Sequence, residues 1–232
     1  MTRLAVLSDV HANSPALRAV IEDVRARRAD AVAYLGDIVF RGPDPGGCIE
    51  QLATLEPVVW IRGNTDEWYL PDAPEREVAG YVAFGLRRLT RPQRVFISQL
   101  PTRAVTRLDG TSVLCVHGSP RRPDENLFPD TPLEEPLAGV TEDVVACGHT
   151  HLPVVREAGG VVVFNVGSVG TPFDGDPRAS YGMLTTSGEG VDVEIVRVAY
   201  DASETVRLAR EAGMPHAGLY ERAVREGIPA FG

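Results

Sequence analysis

The sequence predicts an α/β fold, and three observations predict it. Short apolar runs recur, each stopping abruptly at polar residues. Amphipathic helical stretches separate the early runs. From about residue 103 the texture changes to closely spaced strands. The first run, Leu4 to His11, reads LAVLSDVH. Its unbroken apolar character suits a strand buried on both faces. Asp9 and His11 must then lie where that strand leaves the sheet.

The chain can be taken in order from there. Asn13 and Ser14 are N-cap residue types, and Pro15 suits a first helical position. Leu17, Val20, Ile21 and Val24 follow at i, i+3, i+4 and i+7, so a helix lays one face on the sheet. AVAYL is the second strand and runs into Gly36-Asp37. The turn FRGPDPGG then precedes a short helix carrying Ile49, Leu52 and Ala53. VVWIR is the third strand and runs into Gly63-Asn64. This βαβαβ opening implies parallel strands with right-handed crossovers. A helix is expected from about Glu75 to Leu89, and another from Pro92 to just before Pro101. Strands are expected at about 103–108, 111–116, 143–147, 152–156, 161–164, 180–186 and 191–198. In the last, Val191, Val193 and Ile195 alternate with Asp192 and Glu194, which marks a half-exposed strand. Asp201 and Glu204 give a D-x-x-E capping signal for a C-terminal helix. Gly213 closes it, and a short helix starting near His216 follows. The expected organisation is one domain over 1–232, with the helices of 201–232 packed on it.

Composition narrows the function. The apolar fraction of 44% and charged fraction of 24% are ordinary for a globular protein. No apolar stretch nears the ~20 residues that span a bilayer. The chain enters its first strand at once, which predicts no signal peptide and a cytoplasmic location. Cys48, Cys115 and Cys147 lack C-x-x-C spacing and are expected to be buried thiols. The basic residues are all arginine, so no lysine nucleophile is available. A net charge of −9 argues against an extended nucleic-acid footprint but not against a small anionic substrate. The sequence is compatible with a homo-oligomer.

Two later runs repeat the device of the first three: SVLCV meets His117-Gly118, and VVAC meets Gly148-His149-Thr150-His151. Ligands of open α/β sheets gather at the carboxyl ends of strands. Five strands delivering Asp9, His11, Asp37, Asn64, His117, His149 and His151 to one edge would build a metal site. Four of the five histidines of the chain occupy these positions. Imidazole and carboxylate together suit manganese, iron, zinc, cobalt or nickel. Seven side chains exceed the need of one tetrahedral ion and suffice for two if one carboxylate bridges.

The ordered set D-V-H (9–11), G-D (36–37), G-N-T-D (63–66), V-H-G (116–118) and G-H-T-H (148–151) resembles the calcineurin-like metallophosphoesterases. SDVHAN, HGSP and NVGSVGTPFDGD are most similar to the compact bacterial and archaeal branch. The resemblance implies a four-layer α/β/β/α sandwich of two mixed sheets flanked by helices. It also implies two divalent transition-metal ions, with manganese the first expectation. One would take Asp9, His11, Asp37 and His151, and the other Asp37, Asn64, His117 and His149. The implied reaction is phosphodiester hydrolysis by in-line attack of a hydroxide shared by the ions. Phosphomonoester hydrolysis is the close competitor, and a protein-interaction scaffold of the same fold is the alternative from another class. The chain departs from the family pattern at Thr65, where a histidine credited with protonating the leaving group is usual. Asp66 is a further candidate for chemistry, with loop-orienting hydrogen bonds the preferred expectation. Asn13, Arg41, Arg121 and Arg122 are candidate substrate contacts, Asn13 serving equally as an N-cap. Asn165 and Ser168 resemble a loop that lines the family's site. The stretch Ser119 to Glu142, long, proline-rich and acidic, starts two residues after His117 and is expected to be a lid. The tryptophans and tyrosines are expected in ordinary packing.

Overall fold

The computed structural model of the protein describes residues 1–70, 73, 78, 80–188 and 190–230. The run TRLAVL forms strand β1 (Thr2–Leu7), whose alternate side chains enter two different cores. Leu4 and Val6 join a core between two sheets, whereas Ala5 and Leu7 join a core beneath helices. Burial on both sides explains why this run is apolar throughout instead of alternating.

Helix α1 (Ser14–Ala26) follows, with the Asn13 side chain accepting the Ala16 N–H and Pro15 in its first turn. Its Leu17, Val20, Ile21 and Val24 are buried in the helix-side core. Strand β2 (Ala31–Tyr34), helix α2 (Pro45–Ala53) and strand β3 (Val59–Trp60) complete the expected opening, with β1, β2 and β3 parallel. Helices α3 (Tyr81–Leu86) and α4 (Arg91–Gln99) add Tyr81, Phe84 and Ile97 to the same core. Of the helix expected from Glu75, residues 75–77 and 79 lie outside the described residues.

Six strands come next along the chain: β4 (Arg103–Leu108), β5 (Thr111–Val116), β6 (Val144–Cys147), β7 (Val154–Ala158), β8 (Val161–Asn165) and β9 (Ala179–Ser187). Strand β10 (Gly190–Val198) is the last. One sheet has the order β10-β9-β1-β2-β3 and the other β4-β5-β6-β8-β7. Both are mixed: β9 runs antiparallel to β1, whereas β5, β6 and β8 are parallel between antiparallel partners at the edges. The sheets stack face to face through Leu4, Val6, Ala33 and Ile61 on one side and Val113, Cys115, Ala146 and Phe164 on the other. Strand β7 starts at Val154, two residues later than expected. Pro153, which has no N–H to give a ladder, still belongs to the preceding loop.

Helices α5 (Ala202–Glu211) and α6 (Ala217–Glu226) close the chain, and α5 packs on α1. Asp201 caps α5 by accepting the N–H groups of Ser203 and Glu204. The Glu204 carboxylate pairs with Arg18 of α1, so the cap also ties the C-terminal helices to the first one. Helices thus cover the outer face of the first sheet.

The segment 119–142 covers the outer face of the second sheet. Its Leu127 and Leu133 are buried against Leu114, Val116, Val145 and Cys147. The lid expected there is therefore a cover for the sheet. The apolar residues dispersed among its prolines and acids anchor it to an otherwise bare face. Cys48, Cys115 and Cys147 are buried and unpaired with one another, as their apolar surroundings suggested. Among the described residues no helix is long and apolar enough to cross a membrane.

Candidate metal centre

Every side chain of the predicted cluster stands just past the carboxyl end of a strand. Asp9 and His11 follow β1, Asp37 follows β2, Asn64 follows β3, His117 follows β5, and His149 and His151 follow β6. Backbone hydrogen bonds lace these loops together. The N–H groups of Asp9 and His11 reach the carbonyls of Gly36 and Asp37, both at 3.0 Å. The Gly148 N–H reaches the His117 carbonyl at 2.8 Å. The loop after β8 joins from below, where Ser168 Oγ donates to the Asp9 carbonyl at 2.8 Å.

The loops approach too closely for larger residues. A Cβ on Gly63 would lie 2.1 Å from Asp37 Oδ1, and one on Gly148 would lie 2.4 Å from Asp9 Oδ2. Five of the predicted ligands also hold left-handed backbone: Asp9 (φ 55°), His11 (47°), Asp37 (58°), His149 (67°) and His151 (58°). Such conformations cost roughly 1–3 kcal/mol each outside glycine and concentrate at functional sites. Here they occur at five residues of one cluster.

The result is a buried convergence of acids and imidazoles. Ligand atoms of Asp9, His11 and His151, and of Asp9, Asp37 and His117, form two groups within 4.8 Å. Asp9 Oδ1 lies 3.1 Å from His151 Nε2 and 3.6 Å from His11 Nε2. Asp37 Oδ2 lies 3.4 Å from His117 Nε2 and 3.8 Å from His11 Nε2, so this carboxylate, like Asp9, which belongs to both groups, reaches histidines of each. Its other oxygen accepts the Thr65 N–H at 3.0 Å. His149 and Asn64 line the same cavity. The His149 ring is 5.1 Å from that of His117, and the backbone N–H of His149 donates to Asp9 Oδ2 at 2.9 Å.

Three histidines are locked by their far nitrogen. Nδ1–H of His11 donates to the Phe40 carbonyl, that of His117 to Leu35 and that of His151 to Thr171. With Nδ1 so engaged, each Nε2 faces the centre, the arrangement that orients imidazole ligands of metals once Nε2 gives up any proton. The Nε2 atoms of His11 and His151 stand 3.1 Å apart, a contact that a proton on one ring or a metal cation between the two reconciles. Asp9 Oδ1, Asn64 Oδ1 and His117 Nε2 are buried with no hydrogen-bond partner among the described residues. Orphaned buried groups of this kind need an explanation. A set of imidazole nitrogens with carboxylate and amide oxygens fits divalent transition metals.

Electrostatics support the same pairing. Burial alone would lower the His117 pKa, but Asp37 and Asp9 push it up to about 10. Burial opposes ionisation of Asp37, yet the neighbouring His117 charge brings its carboxyl down to about 2. Asp9, likewise buried, is held well below the usual carboxylate range by His151 and His117. Burial and the neighbouring His117 charge keep the His149 imidazole below its ordinary value, in the neutral form a metal requires.

The other candidates separate by position. Asp66 is buried away from the cavity. Its carboxylate accepts the N–H groups of Asp37 and Ile38, both at 2.8 Å, and of Gly63 at 3.0 Å. That network orients the loops. Thr65 lines the cavity, and its hydroxyl has no partner among the described residues. Arg41 also lines it, with its guanidinium 5.6 Å from the centre of the Tyr81 ring and donating to the Ala230 carbonyl. Asn13 is spent inside the fold, donating to the Gly170 carbonyl and accepting from Thr205. Arg121 is paired with Glu125 and Glu135 on the segment 119–142, and Arg122 with Asp124. Neither arginine lines the cavity, because their segment is drawn to the outer face of the second sheet by Leu127 and Leu133. Asn165 donates to Gly148 and Thr150, steadying the G-H-T-H loop.

Sequence reasoning missed the walls of the cavity. Phe40, Trp68, Tyr81 and Phe173 line it, although aromatic residues read most simply as core. Their placement left one signal: Phe40, Trp68 and Phe173 each stand a few residues beyond a strand-end motif.

Known proteins share this fold. Residues 2–189 match the model of the calcineurin-like phosphoesterase superfamily domain. The crystal structure of a metallophosphoesterase from Sphaerobacter thermophilus superposes with a TM-score of 0.83 at 30% identity, over 98% of this chain and 99% of the other. The phosphodiesterase YfcE of Escherichia coli is 31% identical over 79% of this chain and 88% of its own length. An uncharacterized protein of Methanocaldococcus jannaschii is 29% identical over 98% of this chain and 94% of its own length.

Proposed function

Because the chain belongs to the calcineurin-like phosphoesterase superfamily, we propose that it hydrolyses phosphodiesters with the help of two divalent metal ions. The observation that carries this reading is the convergence of three Nε2 atoms on two buried carboxylates. Asp9, His11, Asp37 and His151 would hold one ion, and Asp37, Asn64, His117 and His149 the other, with Asp37 shared. Manganese suits this mixed nitrogen and oxygen set. Bound there, the ions would supply positive charge against the phosphoryl oxygens and activate a water as nucleophile.

The protein's own groups account for the rest. The carbonyls of Phe40, Leu35 and Thr171 fix three imidazoles in the ligand tautomer. Asp66 fixes the backbone on either side of Asp37. Arg41 places a cation in the cavity that can offset anionic substrate charge. Thr65 can donate a hydrogen bond to a departing oxygen but does not release a proton at neutral pH. This favours esters whose leaving groups are already weak bases.

The test is elemental analysis of mildly purified protein followed by turnover of p-nitrophenyl diesters and monoesters. Two ions per chain and faster diester cleavage are expected. Asp37→Ala should lose both ions, whereas His149→Ala should lose one. Full activity with a single ion would defeat the dinuclear reading, and monoesters as the better substrates would reverse the preference. Bound metal without hydrolysis of any ester would favour the scaffold.

A further inference from the structure

The cavity over the metal-ligand cluster is larger than a phosphoryl group requires. Its volume is about 350 Å³, within the range of sites that enclose an organic molecule. The polar floor gives way to a wall of Phe40, Trp68, Tyr81 and Phe173. These rings are braced. Phe40 meets Trp68 edge to face at 4.8 Å and Tyr81 at 5.9 Å. Phe173 lies flat on the His151 imidazole at 4.2 Å and 18°. Trp68 and Phe173 are half-buried, whereas Phe40 and Tyr81 are 7% and 5% exposed.

Part of this wall depends on residues beyond the matched family domain, which ends at 189. The Tyr81 ring contacts that of His216 at 5.8 Å, and Arg41 donates to the Ala230 carbonyl. The C-terminal helices therefore help to shape the cavity as well as pack on α1. Apart from the candidate metal ligands, the polar side chains among the described lining residues are those of Arg41, Thr65, Trp68, Tyr81 and Thr171. That is a poor complement for the many hydroxyls of a sugar and a good one for a flat ring.

We infer that this wall binds a flat aromatic group carried on the phosphoester, so the substrate is a nucleotide-like or aryl ester and not a sugar or alkyl phosphate. The inference rests on the phosphoesterase reading of the same site. A ring stacked on Trp68 or Phe173 gains both burial and the preferred aromatic geometries, whereas an alkyl group gains burial alone. The difference corresponds to about a tenfold preference.

The experiment uses the full chain loaded with manganese and cleaving a p-nitrophenyl diester. Phenylphosphonate and cyclohexylphosphonate are compared as inhibitors, as are adenosine monophosphate and ribose 5-phosphate, with inorganic phosphate as the reference. Binding is read independently from Trp68 fluorescence in a Trp60→Phe variant, since the chain has two tryptophans. The ring-bearing member of each pair should bind about tenfold more tightly and quench Trp68. Trp68→Ala should bring both ratios toward one, and Trp68→Phe, which keeps a ring, should preserve them. A larger ratio for the nucleotide pair identifies a nucleobase as the group, and a larger ratio for the phosphonates identifies a simple aryl group. Equal binding within both pairs, while inorganic phosphate still inhibits, overturns the inference alone. Protein that takes up no metal and cleaves no ester overturns the phosphoesterase reading, and the inference with it.

Discussion

The Asp66 carboxylate accepts the backbone N–H of Asp37 at 2.8 Å, and the same oxygen accepts that of Gly63 at 3.0 Å. One buried side chain thus ties the loop after β2 to the loop after β3. Asp37 in turn accepts the Thr65 N–H, so the tie is reciprocal. Asp66→Asn would turn an acceptor into a donor facing two N–H groups. The expected loss is roughly 2–3 kcal/mol of stability, seen as a lower melting temperature, with weaker metal uptake. Retained stability but lost turnover at full metal content would instead place Asp66 in the chemistry.

His117 sets a pH dependence for the metal-free protein. Its pKa rises from the ordinary 6.5 to about 10 in the fold, where Asp37 and Asp9 outweigh burial. A raised pKa means that the folded state holds the proton more tightly than the unfolded chain. The stabilisation is therefore complete below pH 6.5 and is lost as pH rises through about 10. Metal must displace this proton, so loading at neutral pH should release it. Melting of the metal-free protein between pH 6 and 10 checks the first statement. Calorimetric titration with manganese in buffers of different ionisation heat checks the second. Uptake with no proton release would show that His117 is not a ligand.

Thr65 predicts a steep dependence on the leaving group. A general acid typically supplies ~10²–10⁴-fold by protonating the departing oxygen. Thr65 lines the cavity, but a hydroxyl cannot do this at neutral pH. Diesters of p-nitrophenol should therefore react far faster than alkyl analogues. Thr65→His should flatten the dependence and help the alkyl esters most. A leaving-group series on both proteins, with metal content matched, measures the two slopes. A shallow slope in the native protein would mean that another group already supplies the proton.

The segment 119–142 should behave as part of the core. Leu133→Ala or Leu127→Ala opens a gap against β5 and β6 and should cost about 2–4 kcal/mol. The relative rates for different esters should stay unchanged, because the segment does not line the cavity. Denaturant unfolding and an ester panel on the same variants separate the two effects. An altered ester preference at unchanged stability would restore the lid.

Much of the metal centre is legible in the sequence for a local reason. An apolar run that stops at Asp, Asn or His marks both a buried strand and the residue at its carboxyl end, and that end is where a sheet presents side chains. LAVLSDVH states both facts in eight residues. The N-caps at Asn13 and Asp201 are legible likewise, because a cap acts over one helical turn. Tertiary structure alone decided the matters that depend on residues far apart in the chain. Phe40, Leu35 and Thr171 select the imidazole nitrogen that faces the centre, through carbonyls between 20 and 82 residues away from their histidines. The bare outer face of the second sheet, not proximity to His117, decides where Leu127 and Leu133 carry their segment, and Arg121 goes with it. Phe40, Trp68, Tyr81 and Phe173 become a wall only because the loop after β2, a short turn after β3, α3 and the loop after β8 meet over the same strand ends. Apolar patterning tells a side chain to leave water. Which neighbours it finds there is settled by the packing of the whole chain.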